Sequence, residues 1–514
     1  MFFNPILSHS KKAGGLILSM LILIFAFLIL PPSAALANGD VIGENPFIGE
    51  IPTPIGTLTF ENNGYPTLET IEKLYNEMDF QRATQLYLWS LPMVSMAQWQ
   101  AAHEETFGVS SGEFVNYQSF LDKLGILTAN DTTPYIISFF DLDETGPLVV
   151  KFPGGMSAGL IDIWQRPIAR MGPCQGEYHI YGPGQELVSE ESSVQGPYIK
   201  ISSTTNNIFF GLRSYGEEDI DQFFDELRIY PLHGVPRNHP PELIDVNKFQ
   251  VPWSQVPPRG VEYWKRLAKI IAREPVQERD RLFMAMLKPL GIEKVAPNGT
   301  VTFAPDERQE EILNKGAELG EAMARVNDFQ KRIEAANYND EVHWEYAALI
   351  LNPNQRAEYY DQLDERAAWF YEAVTISDQM VSKTEDPDGQ VYLAAYKDGD
   401  GNWLDGSNSY KLTVPANPPA SKFWSLTVYD NNARVLIDND TEKPDFSCWT
   451  DGTGECDFDP TSDYIYVGPQ QPDDETAHWI KTNPGEGWFA YFRLYGPENE
   501  FFDGPWVLHD FVKQ

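Results

Sequence analysis

Carboxylate and tryptophan side chains recur on segments of this sequence that are predicted to form β-strands. Tryptophan rings stack on the apolar faces of sugars, while carboxylates bind sugar hydroxyls or, in pairs, hydrolyse glycosidic bonds. We therefore interpret these groups as candidates for binding or hydrolysing a glycan or a cell-envelope polymer. The residues are Asp162, Trp164, Trp403, Trp424, Asp430, Trp488, Asp503 and Trp506.

A second group of polar residues precedes a predicted strand that is otherwise apolar. Asn130, Asp131, Thr133 and Tyr135 lie before or at the start of this strand, and Asp141 ends it. Burying such groups costs about 1–3 kcal/mol each unless they are hydrogen-bonded. They either hold the loop backbone, as Asx turns do, or line a pocket at the end of the strand.

The pocket alternative requires groups that can reach one another. Asp131 and Asp162 must enter the same cavity, and Tyr135 and Arg213 must line it. Arg213 and Arg493 stand in predicted strands, where a partly buried arginine usually pairs with a carboxylate across the sheet. An arginine that faces a cleft can instead anchor an anionic ligand group. The candidate pocket residues are Asn130, Asp131, Tyr135, Asp162, Trp164, Arg213, Trp424, Arg493, Tyr495 and Trp506.

The sequence lacks the common metal and cofactor motifs. H-E-x-x-H, Cys-x-x-Cys, G-x-G-x-x-G and Walker sequences do not occur. Asp398, Asp400 and Asn402 resemble the start of a calcium loop, but Trp403 and Ser409 occupy its required glycine and glutamate positions. We therefore expect a hairpin turn there, with no metal and no cofactor.

The chain is strongly acidic, with a formal net charge of −37 at pH 7. Such a chain repels nucleic acid and anionic lipid, so we expect neither as a partner. We interpret the charge as a solvated surface that keeps the protein soluble. A glycan or a small molecule is the expected ligand, and the sequence does not indicate an oligomeric state.

The N-terminus has the three parts of a secretory signal peptide. Lys11 and Lys12 precede an apolar run over 13–30, and Ala35 and Ala37 form an A-x-A cleavage site. An uncleaved membrane anchor is the alternative, because the run approaches the roughly 18 residues that span a bilayer. We predict cleavage of residues 1–37 and export to the periplasm or the medium, with no membrane contact afterwards.

The cysteines fit an oxidising compartment. Cys448 and Cys456 flank a turn-rich segment, so we predict a disulfide between them. Cys174 is left over, and no His/Asn pairing that would activate it is visible. We interpret Cys174 as a packed thiol.

Changes in hydrophobic period predict an α+β protein with two antiparallel β-sandwich or jelly-roll units joined by a helical segment. Strands of the first unit are predicted over Tyr135–Asp141 and Leu148–Phe152. Thr67 is the expected N-cap of the first helical run, and Pro92 within that run predicts a kink or a break. The predicted regions are a signal peptide (1–37), a linker (38–66), a helix plus β unit (67–245), a helical connector (246–385) and a second β unit (386–514).

Both β units resemble bacterial families of unknown function. The runs NPPA (417–420), FWSLTVYD (423–430), RLYGP (493–497) and DGPW (503–506) resemble the signature of domain of unknown function 1214.

The upstream unit is similar to its usual partner, domain of unknown function 1254. The similarity is carried by NDTTPY (130–135) followed by Asp141, by Asp162, by GEY (176–178), by Arg213 and by YPL (230–232). This sequence has one extra residue between Thr132 and Tyr135. The resemblance implies a paired-domain protein and no particular activity.

Three functions are compatible with these features. The first is binding or hydrolysis of a glycan or envelope polymer, and carboxylates and tryptophans that converge in one open cleft would favour it. The second is a non-catalytic envelope or scaffold protein, and wholly buried aromatics would favour it. The third is an enzyme that acts on a small hydrophobic substrate in a cleft between the β units. The sequence leaves open whether the protein is an enzyme.

Processing of the N-terminus is directly testable. We expect the mature chain to begin at Asn38, because the small-residue cleavage site ends at Ala37. Intact-mass and N-terminal peptide mass spectrometry of the protein recovered from its native host checks this. Retention of residues 1–37 would contradict both cleavage and release.

Overall fold

The computed structural model describes residues 45–185, 197–214, 219–248, 251–296, 299–350, 352–474 and 476–514. The chain divides into two compact units, residues 1–71 and residues 72–514. The predicted signal peptide lies outside the described residues. Helices and mainly antiparallel strands are both abundant, which confirms the predicted α+β class.

The helices of the described residues are α1 (Leu68–Ala101), α2 (Phe120–Lys123), α3 (Leu142–Thr145), α4 (Ile220–Glu226), α5 (Val261–Arg273), α6 (Arg281–Leu287), α7 (Glu307–Phe329), α8 (Leu363–Glu372), α9 (Asp378–Val381) and α10 (Asn499–Phe502). The strands are β1 (Gly49–Thr53), β2 (Gly56–Phe60), β3 (Phe114–Tyr117), β4 (Tyr135–Asp141), β5 (Leu148–Phe152), β6 (Ser157–Asp162), β7 (Pro167–Met171), β8 (Gly176–Tyr181), β9 (Ile199–Ser202), β10 (Asn207–Arg213), β11 (Arg228–Pro231), β12 (Leu243–Asp245), β13 (Ile292–Lys294), β14 (Val301–Phe303), β15 (Glu345–Tyr346), β16 (Gln390–Ala395), β17 (Tyr410–Leu412), β18 (Ala420–Asp430), β19 (Asp445–Trp449), β20 (Tyr464–Gly468), β21 (Ala477–Lys481), β22 (Trp488–Pro497) and β23 (Val512–Lys513).

The first unit contains a two-stranded hairpin within the stretch predicted as a linker. β1 pairs antiparallel with β2, and Thr53 Oγ1 donates a hydrogen bond to Gly56 O at the turn (2.6 Å). Gly56 has a φ of 99°, which glycine adopts without a steric penalty. The predicted N-cap is confirmed, because Thr67 Oγ1 accepts a hydrogen bond from the Thr70 N–H (3.3 Å) where α1 begins.

α1 continues through Pro92 and ends in a short π-helical turn (Ala102–Thr106). The break that the proline could have caused does not occur. A proline inside a helix costs about 3 kcal/mol, because it lacks an N–H and its ring crowds the preceding turn. Nearly all residues from 83 to 103 are buried, so tertiary packing outweighs this local penalty.

Two sheets of the N-terminal β region share a hydrophobic core. Their strand orders are β12-β3-β4-β10-β6-β7 and β11-β5-β8-β9. Ile136, Val150 and Phe210 belong to this core, whereas Ile137 and Phe209 on the other face of the six-stranded sheet belong to a second, larger core. Alternation along each strand therefore buries both faces of the six-stranded sheet.

The C-terminal β region repeats this arrangement. Its sheets have the orders β15-β16-β22-β18-β19 and β21-β20-β17-β23, and Leu426, Ile465 and Phe492 lie in the core that they share. Tyr429 and Tyr491, on the other face of the five-stranded sheet, belong to the larger core. The larger core thus lies between the six-stranded and five-stranded sheets, together with residues of α1, α5, α7 and α8.

Several predicted elements appear as expected. β4 and β5 match the predicted strands Tyr135–Asp141 and Leu148–Phe152 residue for residue. Asp398 to Asn402 form a turn, with the Gly401 N–H donating to Asp398 O (2.9 Å). The expected hairpin is limited to a bridge between Lys397 and Trp403, because β16 and β17 on its two sides lie in different sheets. The sandwich or jelly-roll description and the predicted domain boundaries remain predictions.

No helix in the described ranges combines the length and apolarity needed to cross a membrane. No group of three or more His, Cys, Asp or Glu side chains in those ranges could hold a metal ion.

The predicted disulfide is present. Cys448, in β19, is bonded to Cys456, and Cys174 is a free and exposed thiol rather than a packed one. The interpretation of Cys174 as packed is therefore wrong, because its loop leaves it at the surface. The bonded pair closes a loop with a sequence separation of 8 residues.

Removing the disulfide should destabilise the protein modestly. We expect the double substitution Cys448→Ser/Cys456→Ser to lower the free energy of unfolding by about 2–3 kcal/mol, since a loop this short restricts the unfolded chain only slightly. Denaturant unfolding with and without reductant measures this loss. The control is Cys174→Ser, which should leave the unfolding midpoint unchanged. A wild-type midpoint that reductant fails to lower would contradict the prediction.

Candidate functional site

A cavity of about 190 Å³ lies within the larger core and is referred to here as the central cavity. β4, β6 and β10 form one wall, β16 and β22 form the opposite wall, and the segment 373–377 after α8 closes a third side. The polar lining residues are Thr128, Tyr135, Arg213, Thr375, Ser377, Gln390, Tyr392, Tyr491, Arg493 and Tyr495.

The strand period decides which side chains reach the cavity. Tyr135 and Ile137 alternate along β4 with residues of the N-terminal core, and Arg213 lies opposite Tyr135 on β10. On β22, Tyr491, Arg493 and Tyr495 alternate in the same way with residues of the C-terminal core. Each wall is therefore the second face of a sheet whose first face is packed on its own core.

A pair of glycines leaves room for the cavity. Gly159 on β6 and Gly211 on β10 face each other in the antiparallel register, and both line the cavity. A Cβ added to Gly159 would meet no atom within 4 Å, whereas a Cβ added to Gly211 would come within 2.6 Å of the Phe209 ring. Position 159 therefore opens onto free space, and position 211 is closely packed.

Arg213 and Tyr135 form a pair on the wall of the N-terminal region. The Arg213 guanidinium lies 4.2 Å from the centre of the Tyr135 ring, within cation–π range. Its Nη2 donates to Thr133 Oγ1 (2.7 Å). The backbone N–H of Asn130 donates to the Tyr135 hydroxyl oxygen (3.0 Å).

Arg493 is the buried cation of the opposite wall. Its side chain is only 3% exposed, and its Nη1 and Nη2 donate to Thr427 Oγ1 (3.1 Å) and to Thr128 O (2.7 Å). Three tyrosine rings surround its guanidinium at 5.0–5.6 Å. These rings belong to Tyr392, Tyr429 and Tyr491.

Asn130 links the two walls. Its side-chain oxygen accepts from the Thr133 N–H (2.9 Å), and its Nδ2 donates to the Tyr495 hydroxyl (3.2 Å). The Tyr429 hydroxyl donates to Ala129 O (2.8 Å) in the same loop. Asn130 therefore holds the loop backbone, as Asx turns do, and the same loop also borders the cavity.

Backbone strain is concentrated on the cavity wall. Thr128 and Thr375 have φ values of 38° and 61°, which are unfavourable for β-branched residues. Thr375 is held there by a hydrogen bond from its N–H to Gln165 Oε1 (2.7 Å) and by one from Trp369 Nε1 to its carbonyl (2.8 Å). Strained residues that surrounding contacts hold in place occur preferentially at functional sites.

The electrostatic environment of the central cavity is positive. Its described lining includes two arginines and neither aspartate nor glutamate. Burial raises the pKa of Tyr135, but Arg213, Arg493 and the Asn130 N–H outweigh burial, so this pKa lies below its usual value. The site can thus stabilise negative charge, either on its own phenol or on a ligand.

A second cavity of about 460 Å³, referred to as the outer cavity, adjoins the central one. Both are lined by Gly159, Ile161, Gly211, Arg213, Ile376, Ser377 and Gln390. At the exposed rim of the outer cavity, Asp388 forms ion pairs with Arg170 (3.1 Å) and Lys422 (3.2 Å). Arg213 therefore lies where the two cavities meet.

Four of the predicted pocket residues line the central cavity together: Tyr135, Arg213, Arg493 and Tyr495. Asn130 contacts one of them through its side chain. The predicted carboxylates do not join them. Asp131 lies 3.5 Å from Lys123 Nζ, and Asp162 accepts from the backbone N–H groups of Trp164 and Arg166 (2.9 Å each) in a turn.

The predicted tryptophans are dispersed as well. Trp164 packs on Trp89 (5.2 Å between ring centres), and Trp424 and Trp506 belong to the C-terminal core. Trp403 and Trp488 line a separate cavity of about 300 Å³. The pocket in which Asp131 and Asp162 join Tyr135 and Arg213 is therefore not formed, because both carboxylates are used by local structure.

Sequence reasoning missed the tyrosines beside Arg493 and the segment 373–377. The alternation that groups Arg493 with Tyr495 also places Tyr491 on the same face, so this signal was available. Tyr392 and Gln390 pair with Arg493 and Tyr495 across β16 and β22. No local pattern indicates that pairing.

Comparisons with known proteins agree with the two resemblances. Residues 111–231 match the family described as Protein of unknown function (DUF1254), and residues 389–499 match Protein of unknown function (DUF1214). The predicted pair and its order are thereby confirmed. β4, β6 and β10 lie within the first match and β16 and β22 within the second, so the central cavity lies between the two matched regions.

Two solved structures are similar over most of the chain. The VPA0106 protein from Vibrio parahaemolyticus has 16% identity and a TM-score of 0.48, over 84% of this chain and 99% of that chain. An uncharacterized protein from Burkholderia cenocepacia has 10% identity and a TM-score of 0.36, over 87% and 96%. No match was found among curated proteins.

Tyr135 should ionise at a lower pH than an ordinary tyrosine. In an ultraviolet difference titration we expect an early phenolate phase that Tyr135→Phe removes and Arg213→Met moves to higher pH, because the guanidinium favours the phenolate. The control Tyr65→Phe, which removes an exposed tyrosine, should leave this phase in place. An early phase that survives Tyr135→Phe would contradict the assignment.

Proposed function

We propose that this protein, which carries a DUF1254 domain followed by a DUF1214 domain, binds a small amphipathic anion in the central cavity. The ligand has a carboxylate or similar oxyanion that Arg493 and Arg213 bind. Its apolar body lies against the remaining lining. The proposal rests on one observation, the buried guanidinium of Arg493 at a cavity wall with neutral groups around it.

Arg493 forms no ion pair with a carboxylate among the described residues. Its hydrogen bonds go to a hydroxyl and a backbone carbonyl, and the rings around it belong to tyrosines. Removing a cation from water costs several kcal/mol unless a counter-charge or hydrogen bonds compensate. An anion entering the cavity supplies that counter-charge, and a planar guanidinium suits the two oxygens of a carboxylate.

The rest of the lining fits an apolar ligand body. Aromatic and aliphatic side chains make up most of it, and the described lining offers no carboxylate to bind sugar hydroxyls. The central cavity has a volume of about 190 Å³, which is below the roughly 300–1,000 Å³ of pockets that hold drug-sized molecules. The ligand is therefore small or extends into the outer cavity. The apolar lining residues include Trp99, Ile137, Ile161, Phe209, Trp369 and Met380.

This proposal corresponds to the third function considered from the sequence, a small-molecule site between the β units. The glycan function receives no support from the placement of its candidate residues, because the carboxylates and tryptophans proposed for it do not share a cleft. A purely structural protein does not explain a cavity lined by a buried cation and strained threonines.

Export is part of the proposal. The signal-peptide pattern of residues 1–37 and the Cys448–Cys456 disulfide both suit an oxidising compartment outside the cytosol. The ligand would then be encountered in the periplasm or in the medium.

Matched acids and alcohols test the anionic part of the proposal. By isothermal titration calorimetry on the mature protein, we expect octanoate and phenylacetate to bind about 10- to 100-fold more tightly than octanol and phenylethanol, since a hydrogen bond to a charged group contributes about 1.5–3 kcal/mol. Equal affinities for acid and alcohol would contradict an anion site.

Gly159→Leu tests the location. The added side chain enters free space, so the fold should survive while binding of the acids is lost. Arg493→Met should remove the preference for the acid over the alcohol. The control is Arg281→Met, which removes an arginine whose side chain is 70% exposed and should leave affinity unchanged. Undiminished octanoate binding by Gly159→Leu would place the site elsewhere.

A further inference from the structure

A cluster of buried ionisable residues lies directly behind the wall of the central cavity. Asp328 and Glu372 are fully buried, and Lys331, between α7 and β15, is 7% exposed. Tyr396 and Tyr491 complete the cluster, and Tyr491 is also part of the cavity lining. The anion site proposed above does not use the other four residues.

Hydrogen bonds connect the cluster to the cavity. The hydroxyl of Tyr491 donates to the Glu372 carboxylate, and the hydroxyl of Tyr396 donates to the same oxygen, Oε1 (2.7 Å). Asp328 Oδ1 lies 3.4 Å from the Tyr396 hydroxyl. Lys331 Nζ donates to the Tyr396 hydroxyl (3.1 Å). A continuous path of polar hydrogens therefore leads from the cavity wall into the interior.

The path also has an outer end. Lys331 Nζ lies 3.4 Å from Glu345 Oε2, and the Glu345 side chain is 21% exposed. Lys331 also lines a surface cavity of about 320 Å³. Protons in the cluster thus have two routes, one through Tyr491 to the central cavity and one through Lys331 and Glu345 to the surface.

The charges of the cluster do not balance if every group is ionised. Asp328 and Glu372 are neighbouring carboxyls in a dry interior, and Lys331 is their only buried ammonium partner among the described residues (3.5 Å from Asp328). Two adjacent carboxylates cannot both stay ionised there without strong repulsion. Asp328 Oδ2 and Glu372 Oε2 also lack hydrogen-bond partners, as a site for one more proton would require.

Other charged or titratable groups surround the cluster and affect the pKa values of its members. Burial first and then the nearby Glu372 raise the pKa of Asp328, while Lys331 lowers it only in part. The groups that face the cluster from neighbouring elements are Glu345 on β15, Tyr392 on β16, Lys397 after β16 and Arg493 on β22.

We propose that Asp328 and Glu372 share one proton at neutral pH and exchange it with the central cavity through Tyr491. In the transfer step, the Tyr491 hydroxyl gives its proton to a basic group of the bound ligand, and the carboxyl pair gives its proton to the Tyr491 oxygen. Lys331 gives a proton to the pair in the same step and regains one from solvent through Glu345, so the pair does not stay doubly ionised. The transfer step rests on the proposed anion site, whereas the shared proton does not.

Infrared spectroscopy tests the shared proton without any ligand. The intact protein in D₂O at neutral pH should show the carbonyl stretching band of a protonated carboxyl group. Asp328→Asn and Glu372→Gln, which change shape little, should each remove the same component of this band in difference spectra against the wild type, while circular dichroism shows a retained fold. Glu274, whose pKa burial raises to about 8, supplies a separate component that both variants keep and Glu274→Gln removes. The control is Glu311→Gln, an exposed glutamate, which should leave every component in place. Absence of a common component from the Asp328→Asn and Glu372→Gln difference spectra would overturn the proposal.

Hydrogen–deuterium exchange of the same carboxyl tests the route. After transfer to D₂O, the isotope shift of the component should develop about tenfold more slowly in Tyr491→Phe/Lys331→Met than in Lys331→Met, because the double variant lacks both routes and exchange then needs a local opening. Tyr491→Phe alone should slow exchange less, because the route through Lys331 and Glu345 remains. Exchange in the double variant as fast as in Lys331→Met would overturn the link to the cavity. Failure of octanoate to bind would leave the band and its exchange unchanged, so the two proposals fail separately.

Discussion

The buried guanidinium of Arg493 is the interaction around which the two β regions are arranged. It lies on β22 in the C-terminal region, and it donates to Thr128 O in the loop before β4. The hydroxyl of Tyr429 and the side chain of Asn130 add two more hydrogen bonds between the same regions. A cation in the interior must be supported by oriented oxygens and aromatic rings, and these supports come from both regions.

This constraint explains why the surface between the sheets is polar at its centre. Two sheets that met through apolar residues alone would pack without a cavity and without hydroxyl groups that need partners. Here tyrosines supply large rings for packing, and their hydroxyls form hydrogen bonds with nearby polar groups, as Tyr429 does with Ala129 O and Tyr491 with Glu372. The strained backbone at Thr128 and Thr375 fits the same account, because hydrogen bonds from Arg493 and from Trp369 to their carbonyls hold it in place.

The sequence predicted much of the local structure and part of the site. β4 and β5 were predicted residue for residue, because their apolar alternation and flanking turns are unambiguous, and Cys448 and Cys456 were paired by spacing. Tyr135, Arg213, Arg493 and Tyr495 were identified as candidates and do line one cavity.

The remaining errors arise because the local sequence does not show which tertiary contacts a side chain makes. Every residue of β22 is buried, so polarity does not distinguish its two faces, and Thr128, which accepts a hydrogen bond from Arg493, lies 365 residues away in sequence. Composition also cannot tell a tryptophan in a core from one on a binding surface, which is why Trp424 and Trp506 were proposed for a ligand. Asp162 was misassigned because a carboxylate that holds a turn and one that holds a ligand have the same sequence signature.

The unequal surroundings of Gly159 and Gly211 separate two properties that mutations usually change together. At position 211 an added methyl group collides with the Phe209 ring, so variation there is restricted by folding. At position 159 the same methyl group enters free space and only shortens the cavity. Homologues can therefore acquire selectivity for smaller or larger molecules by drift at a single residue, with the scaffold left intact. In such a protein, ligand range evolves independently of stability.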